Sequence, residues 1–408
     1  MNVTQVKRVF LLGAFIIQVL CCTSLAGFMN QHDIVLLGAT GVTGSLIFDN
    51  ISSKKNGSIS LAIAGRDEHK LRKTIETGKN KDSISYHIAD AGNPSSLRKL
   101  AKSSKLIINA VGPYSDFGSY VMSACIREGI DYIDLCGEPG WMYKMISSHS
   151  ESAKKNGSRI IFSCGFDSIP FDLGVHHIQN VAKKHLGKPV SKVRARIEKM
   201  VGNFSDGTTQ SLAATVRSGH EDPQLLKQLL NPFALCEGND GPRQPSGVVP
   251  TYEEDIDSWV APFMMAVINT KNVHRSNHLL NYPYGKSFIY DEMWMTGPGS
   301  RGEKTAKAIA SDREMAKNNN INDDTADGYY KIQFIGEENN KRIITSVESD
   351  FDPGYHSTAK MVTESVFCFL ENRDSIPAGI HTPASAFGDK LIDRLQENAG
   401  MRFNVRRV

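Results

Sequence analysis

The chain has 408 residues, 40% of them hydrophobic, with a formal net charge of +3. That is enough length and apolar content for a large core spread over two domains, while the near-balanced charge gives no electrostatic footprint for nucleic acid. Its seven cysteines (Cys21, Cys22, Cys125, Cys136, Cys164, Cys236 and Cys368) form no Cys-x-x-Cys pair and no Cys/His ligand spacing; neither a metal site nor a disulfide framework is expected.

Lys7 and Arg8 precede an uncharged, largely apolar stretch from Val9 to Phe28. Its length suits a signal peptide cut after Ala26 or a marginal membrane span, and the basic flank would send the rest of the chain away from the cytosol. A start at Met29 would remove it. Both readings stand, so residues 1–28 are set apart from the fold as a leader, an anchor or a mis-assigned start. The expected location is cytoplasmic or membrane-associated, with a secretory route if the leader is real.

Ile34 to Leu37 reads as a buried strand that runs into Gly38-Ala39-Thr40-Gly41-Val42-Thr43-Gly44 and then a helix. This order suits a pyrophosphate, which needs bare N–H groups at a helix N-terminus where the helix dipole favours negative charge. Gly38 suits the tight turn, Gly41 the approach of phosphate, and Gly44 close helix–strand packing. Gly38, Thr40, Gly41, Val42 and Thr43 are the expected phosphate contacts. Ile59 to Ala64 is a second strand, ending about twenty residues past the turn, where such folds read the ribose. An NAD site usually places a carboxylate there. Here Arg66 stands at the strand end, and a guanidinium forks onto a 2′-phosphate. NADPH is therefore expected ahead of NAD, against the plainer reading of Arg66 as a solvated loop cation. Asp67 reads as the N-cap of a helix from Glu68 to Thr77.

Ile84 to Ile88 is a third strand ending near Asp90, and Asn93-Pro94 opens a helix to Lys102. Lys105 to Ala110 is a fourth strand, leading to Gly112-Pro113-Tyr114 and a helix from Phe117 to Glu128. Tyr132 to Leu135 and Arg159 to Ser163 complete six strands. Alternating strands and helices predict a doubly wound parallel sheet of Rossmann type over residues 29–165. Its turns at Gly38, Gly65, Asp90 and Gly112 fall on one edge, where ligands sit. From residue 166 the rhythm changes. Val193 to Ile197 alternates as a half-exposed strand, residues 206–209 open a helix from Gln210 to Arg217, and Gly238–Glu254 and Asn318–Asp327 read as loops. Tyr329 to Gly336 and Lys341 to Glu348 form an antiparallel hairpin. Residues 166–350 are thus expected as an α+β substrate domain with an antiparallel or mixed sheet. Residues 351–408 are expected as C-terminal helices, Ser357–Glu371 and Pro383–Gln396, the latter capped by Thr382.

Dense local matches now add a family. The glycine turn, Ala64-Gly65-Arg66, residues 109–114, 132–138 and 164–174, Asn272-Val273-His274-Arg275-Ser276, Asp352-Pro353-Gly354-Tyr355 and residues 379–384 carry it. On these the chain resembles the saccharopine dehydrogenase-like oxidoreductases, in the branch of the trans-acting enoyl reductases, across residues 31–408. The resemblance implies NADP binding, C-terminal helices that return to the Rossmann domain, and reduction of a carbon–carbon double bond in a lipid or polyketide substrate. A saccharopine-type dehydrogenase of a secondary amine is the alternative reaction. A catalytically silent NADP-binding protein at a lipid surface is the alternative class.

Hydride transfer leaves the protein to orient its ligands and to set the electrostatics. Gly112 and Pro113 are placed to border the nicotinamide ribose, and Tyr114 either packs there or protonates the product. Glu138 stands as a general acid or as an N-cap partner for the helix that follows. Asp167 and Ser168 either meet substrate or cofactor amide or cap the helix at Pro170. His274 and Arg275 are a candidate proton donor and anion clamp, against solvated strand-end residues. Expected partners are a small-molecule or lipid-acyl substrate, a membrane or lipid surface, and a second copy in a homodimer.

Overall fold

The computed structural model describes residues 32–54, 59–78, 83–202, 205–238, 240–311, 328–339 and 341–408. The readings of 1–28 as a leader and of Asn318–Asp327 as a loop lie outside these residues. No helix among the described residues is long and apolar enough to cross a membrane.

Six strands alternate with helices: β1 (His32–Leu37), β2 (Leu61–Gly65), β3 (Ile84–Ile88), β4 (Ser104–Asn109), β5 (Asp131–Asp134) and β6 (Arg159–Ile161). They pair in parallel, and the late strand Gly379–His381, numbered β13, extends the sheet beside β6. The order is β13-β6-β5-β4-β1-β2-β3. Ile34 to Leu37 and Leu61 to Ala64 are all but solvent-free, as strands covered by helices on both faces require. The order reverses between β1 and β4, which places the ligand crevice beyond their carboxyl ends. Local chemistry sets the helix starts. Asp67 accepts from Lys70 N at 3.0 Å, Asn93 caps the helix Pro94–Lys102 through Ser95 and Ser96 N, and Thr382 forms a capping box with Ser385.

The second sheet holds β7 (Lys192–Val201), β8 (Thr251–Glu253), β9 (Ser258–Pro262), β10 (Ile289–Gly297), β11 (Tyr329–Glu338), β12 (Lys341–Ser349) and β14 (Met401–Arg407). Its order is β14-β12-β11-β7-β10-β9-β8. Only β7 and β10 pair in parallel, so the sheet is mixed. The helix Ile169–Leu186 leaves the first sheet after β6 and packs on β11 and β12. Gly174 makes that approach possible, because a Cβ there would stand 2.2 Å from Phe334 Cζ.

Several elements differ from the sequence reading. The loop expected at 238–254 ends in β8, and the helix expected from Gln210 begins at Asp206, with Ser205 rather than residues 206–209 supplying the cap to Thr208 N. The expected helix Pro383–Gln396 breaks at Gly388, whose φ of 52° splits it into Pro383–Phe387 and Asp389–Asn398. The segment after residue 350 also serves both sheets. Its helix Thr358–Asn372 packs on the helix Val42–Lys54, and buried Glu364 takes Lys54 and Arg394. Its last residues are the strand β14 on the second sheet rather than helix.

Candidate active site

The glycine turn is built for a close backbone approach. Gly38 has φ of +90°, and a Cβ there would lie 2.8 Å from Val111 and 3.0 Å from the Ala110 carbonyl. A Cβ on Gly44 would strike the Gly38 oxygen at 2.0 Å, whereas one on Gly41 meets nothing closer than 3.5 Å. The first and last glycines therefore let the turn fold on itself, and the middle one leaves its outer side open. Thr40 and Gly41 are exposed there and Val42 is 62% exposed at the start of the helix Val42–Lys54. An apolar side chain left in water beside open helix N–H groups fits the cradle of a dinucleotide phosphate.

Arg66 follows β2 on the same edge. It is exposed and makes no hydrogen bond or ion pair among the described residues. Asp67 is turned to its own helix cap. Asp90 also lies on this edge, but its carboxylate accepts from Gly92 N at 2.9 Å and shapes its own turn.

After β4 the chain is held by a buried network that the sequence reading did not single out. Asn109 accepts from Val111 N at 3.1 Å and donates to Tyr132 Oη, which donates to Asp134 at 2.9 Å. Asp134 also accepts from Cys136 N and Ser163 N, and burial pushes its carboxyl up to about 7. A polar residue closing an otherwise apolar strand, as Asn109 and Asp134 do, is the signal that could have found them. Tyr114 belongs to this network. Its hydroxyl donates to Asn109 O at 2.9 Å and accepts from Leu135 N at 3.3 Å. Burial drives its pKa well above the usual value. With both hydrogen-bonding roles taken, the phenol is a strut between β4 and β5, which speaks for the packing role over proton donation.

Glu138 is 2% exposed. It makes no cap bond on the helix Pro139–Asn156 that follows it. Instead its two oxygens accept from Tyr114 N at 2.7 Å and Ser115 N at 2.9 Å, capping the helix Tyr114–Glu128. Ser211 donates to it at 2.8 Å from the helix Asp206–Glu221. The carboxylate thus ties the strand edge to the helix that covers it, with three donors on its two oxygens.

Beyond this edge opens a cavity of about 900 Å³. Thr43, Ala110, Gly112, Leu135, Gly137 and Gly165 form its floor, from the ends of β1, β4, β5 and β6. The helices Asp206–Glu221 and Pro223–Leu229 and the segment Met264–Ile268 supply mostly apolar walls. Asp167 lies at the junction, half-buried, and accepts from Thr208 Oγ1 at 3.4 Å. Burial pushes its carboxyl up to about 6, only partly offset by Thr208. Ser168 is 1% exposed and accepts from Asn272 at 2.6 Å. Neither side chain caps the helix Ile169–Leu186.

His274 and Arg275 are not at a strand end and do not line this cavity. They lie on the helix Ala266–Leu279, buried between the layers. His274 is 3% exposed, packed against Phe233 at 4.4 Å and Phe288 at 6.0 Å, and burial pulls its pKa down to about 3. Arg275 is spent on backbone carbonyls, Leu235 O and Ile380 O. A neutral, packed imidazole and a guanidinium that staples β13 to a loop are structural. They read as exposed because an almost wholly polar segment rarely makes a buried helix.

A doubly wound sheet with this cradle at its switch point and an apolar cleft beyond it is the architecture of a dinucleotide-binding protein with room for a second ligand. The family description "Saccharopine dehydrogenase NADP binding domain" matches residues 34–161. A protein of Mycobacterium tuberculosis, provisionally named a trans-acting enoyl reductase, is 30% identical over 414 residues, covering 93% of this chain and 98% of its own. The "Lipid droplet localized protein" of Caenorhabditis elegans is 26% identical, covering 92% and 99%. The homospermidine synthase of Legionella pneumophila, solved with NAD, has the same fold at 10% identity and a TM-score of 0.53, covering 93% and 92%. The chain belongs to the saccharopine dehydrogenase-like oxidoreductases, in the branch whose members are named trans-acting enoyl reductases. Its cofactor is NADP(H).

Proposed function

We propose that this oxidoreductase uses NADPH to saturate a carbon–carbon double bond in an acyl chain of a lipid or polyketide-type substrate. The observation that carries this is the cavity, which continues from the strand edge into a wall of Leu212, Val216, Leu226, Leu229, Met264 and Ile268. Such a wall takes an acyl chain, and the hydroxyls beside it, Thr208, Thr209, Ser211 and Thr215, carry no charge to grip a carboxylate. Gly38 to Thr43 would hold the diphosphate and Arg66 the 2′-phosphate, with Gly112 and Pro113 beside the nicotinamide ribose. When bound, NADPH supplies a hydride. The chain's own work is to orient the acyl group over that edge and to keep water out with the helix Asp206–Glu221.

A saccharopine-type amine dehydrogenase needs cations that grip substrate carboxylates. The one arginine among the residues lining the cavity, Arg217, is paired with Asp116 at 3.1 Å, so the double-bond reading is favoured. Val216, Leu226 and Val267 line the cavity and are 43%, 45% and 47% exposed at its mouth. Together with the name of the nematode relative, this apolar lip supports work at a lipid surface. The test is oxidation of NADPH with crotonyl and dodecenoyl thioesters of N-acetylcysteamine. Turnover that rises with chain length is expected. NADPH that binds but is not oxidised with any enoyl thioester would leave the silent binding protein as the better reading.

A further inference from the structure

We infer that Asp167 is the acid of the cleft, the group that donates the proton completing the reduction. The inference rests on the proposed double-bond chemistry and assigns it a proton source. Four lining residues of the cavity carry a titratable side chain: Tyr114, Asp167, Arg217 and His220. The Tyr114 hydroxyl is committed on both sides. Arg217 is paired with Asp116 at 3.1 Å. His220 is exposed at the far end of its helix from Thr208, about 18 Å away at the rise of an α-helix. Glu138, close by, is filled by two N–H groups and Ser211.

Asp167 differs from all of these. It follows β6 on the carboxyl edge of the sheet, between the floor glycines and the apolar wall, and a Cβ on Gly137 would come within 3.3 Å of its Oδ2. Among the described residues its carboxylate accepts one hydrogen bond, from Thr208, which is itself held by Ser205 at 3.0 Å. The groups facing it are uncharged hydroxyls on the covering helix and, at the β5 edge, the Cys136 thiol, whose pKa burial drives well above the usual value. No cation among the described residues pairs with it. A carboxyl in such surroundings keeps its proton to a higher pH, and burial pushes this one up to about 6.

The chemistry balances. Hydride addition at the β carbon moves the π electrons onto the carbonyl as an enolate. The enolate pair then forms the C–H bond at the α carbon as the Asp167 O–H bond breaks. Water at the cavity mouth reprotonates the carboxylate.

The experiment compares wild type, Asp167→Asn and Asp167→Glu in three readouts. Infrared difference titration of wild type against D167N, without cofactor, should cancel the bands of the buried Asp134 and Asp172 and leave a carboxylic acid band that disappears as pH rises through about 6. With dodecenoyl thioester, D167N should lose about 100-fold or more in kcat with NADPH affinity within about twofold, and D167E should recover part of that loss. Wild-type kcat should fall as pH rises through the same range, since the acid form is present below the pKa and lost above it. A D167N variant that loses only NADPH affinity or KM, or that keeps the wild-type pH profile, overturns the inference and leaves the reaction standing. An absent infrared band overturns it without any turnover measurement. A wild type that binds NADPH but reduces no enoyl thioester overturns the reaction and the inference with it.

Discussion

At the scale of single residues, the site turns on two carboxylates with opposite surroundings. Glu138 takes three donors on its two oxygens, whereas Asp167 has one hydroxyl neighbour and holds its proton to a higher pH than an exposed carboxyl does. The sequence could place both on the ligand edge, because each follows a strand. It could not separate them, because their difference lies in donors from distant segments, Tyr114, Ser211 and Thr208. Glu138→Ala should leave two helix N–H groups without an acceptor and cost about 1–3 kcal/mol. Thermal denaturation should show a melting temperature several degrees lower, with Glu138→Gln in between. An unchanged melting point in E138A would show that water replaces the carboxylate and that it braces nothing.

At the scale of elements, the parallel strands were legible and the crossing helices were less so. β1 and β2 are buried on both faces, so they read as apolar runs, and the glycines and caps that punctuate them act locally. The helix Ala266–Leu279 gave no such signal. Its sequence is mostly polar, yet Asn269, Asn272, His274 and Arg275 are 0%, 0%, 3% and 1% exposed because packing from both layers surrounds them. β10 was missed for a related reason. Charges stand where a strand's apolar face is expected, neutralised by partners far away in sequence, as in Arg196 with Asp291 at 3.0 Å. The helix Ile169–Leu186 approaches the second sheet closely at Gly174, where a Cβ would stand 2.2 Å from Phe334 Cζ. Gly174→Ala should cost about 1–3 kcal/mol by overpacking, and Phe334→Leu in the same chain should return part of it. Additive losses in chemical denaturation of the two single variants and the double variant would show that these residues do not compete for the same space.

At the scale of the whole molecule, the cofactor edge and the cleft are made by parts distant in the chain. The C-terminal segment packs on the glycine-turn helix through Glu364 and Lys54. Gly354 and Thr358 from that segment line the cavity, and β14 closes the second sheet. The central claim is that this frame holds NADPH across Gly38 to Thr43 and Arg66. The most direct measurement is a fluorescence titration of wild type and Arg66→Ala with NADPH and, in parallel, NADH. Wild type should bind NADPH more tightly, and R66A should lose about tenfold or more of that affinity, as a charge-assisted contact to a phosphate implies, while NADH affinity stays within about twofold. Equal losses for both cofactors would contradict the 2′-phosphate assignment, and a folded protein that binds neither would contradict the account as a whole.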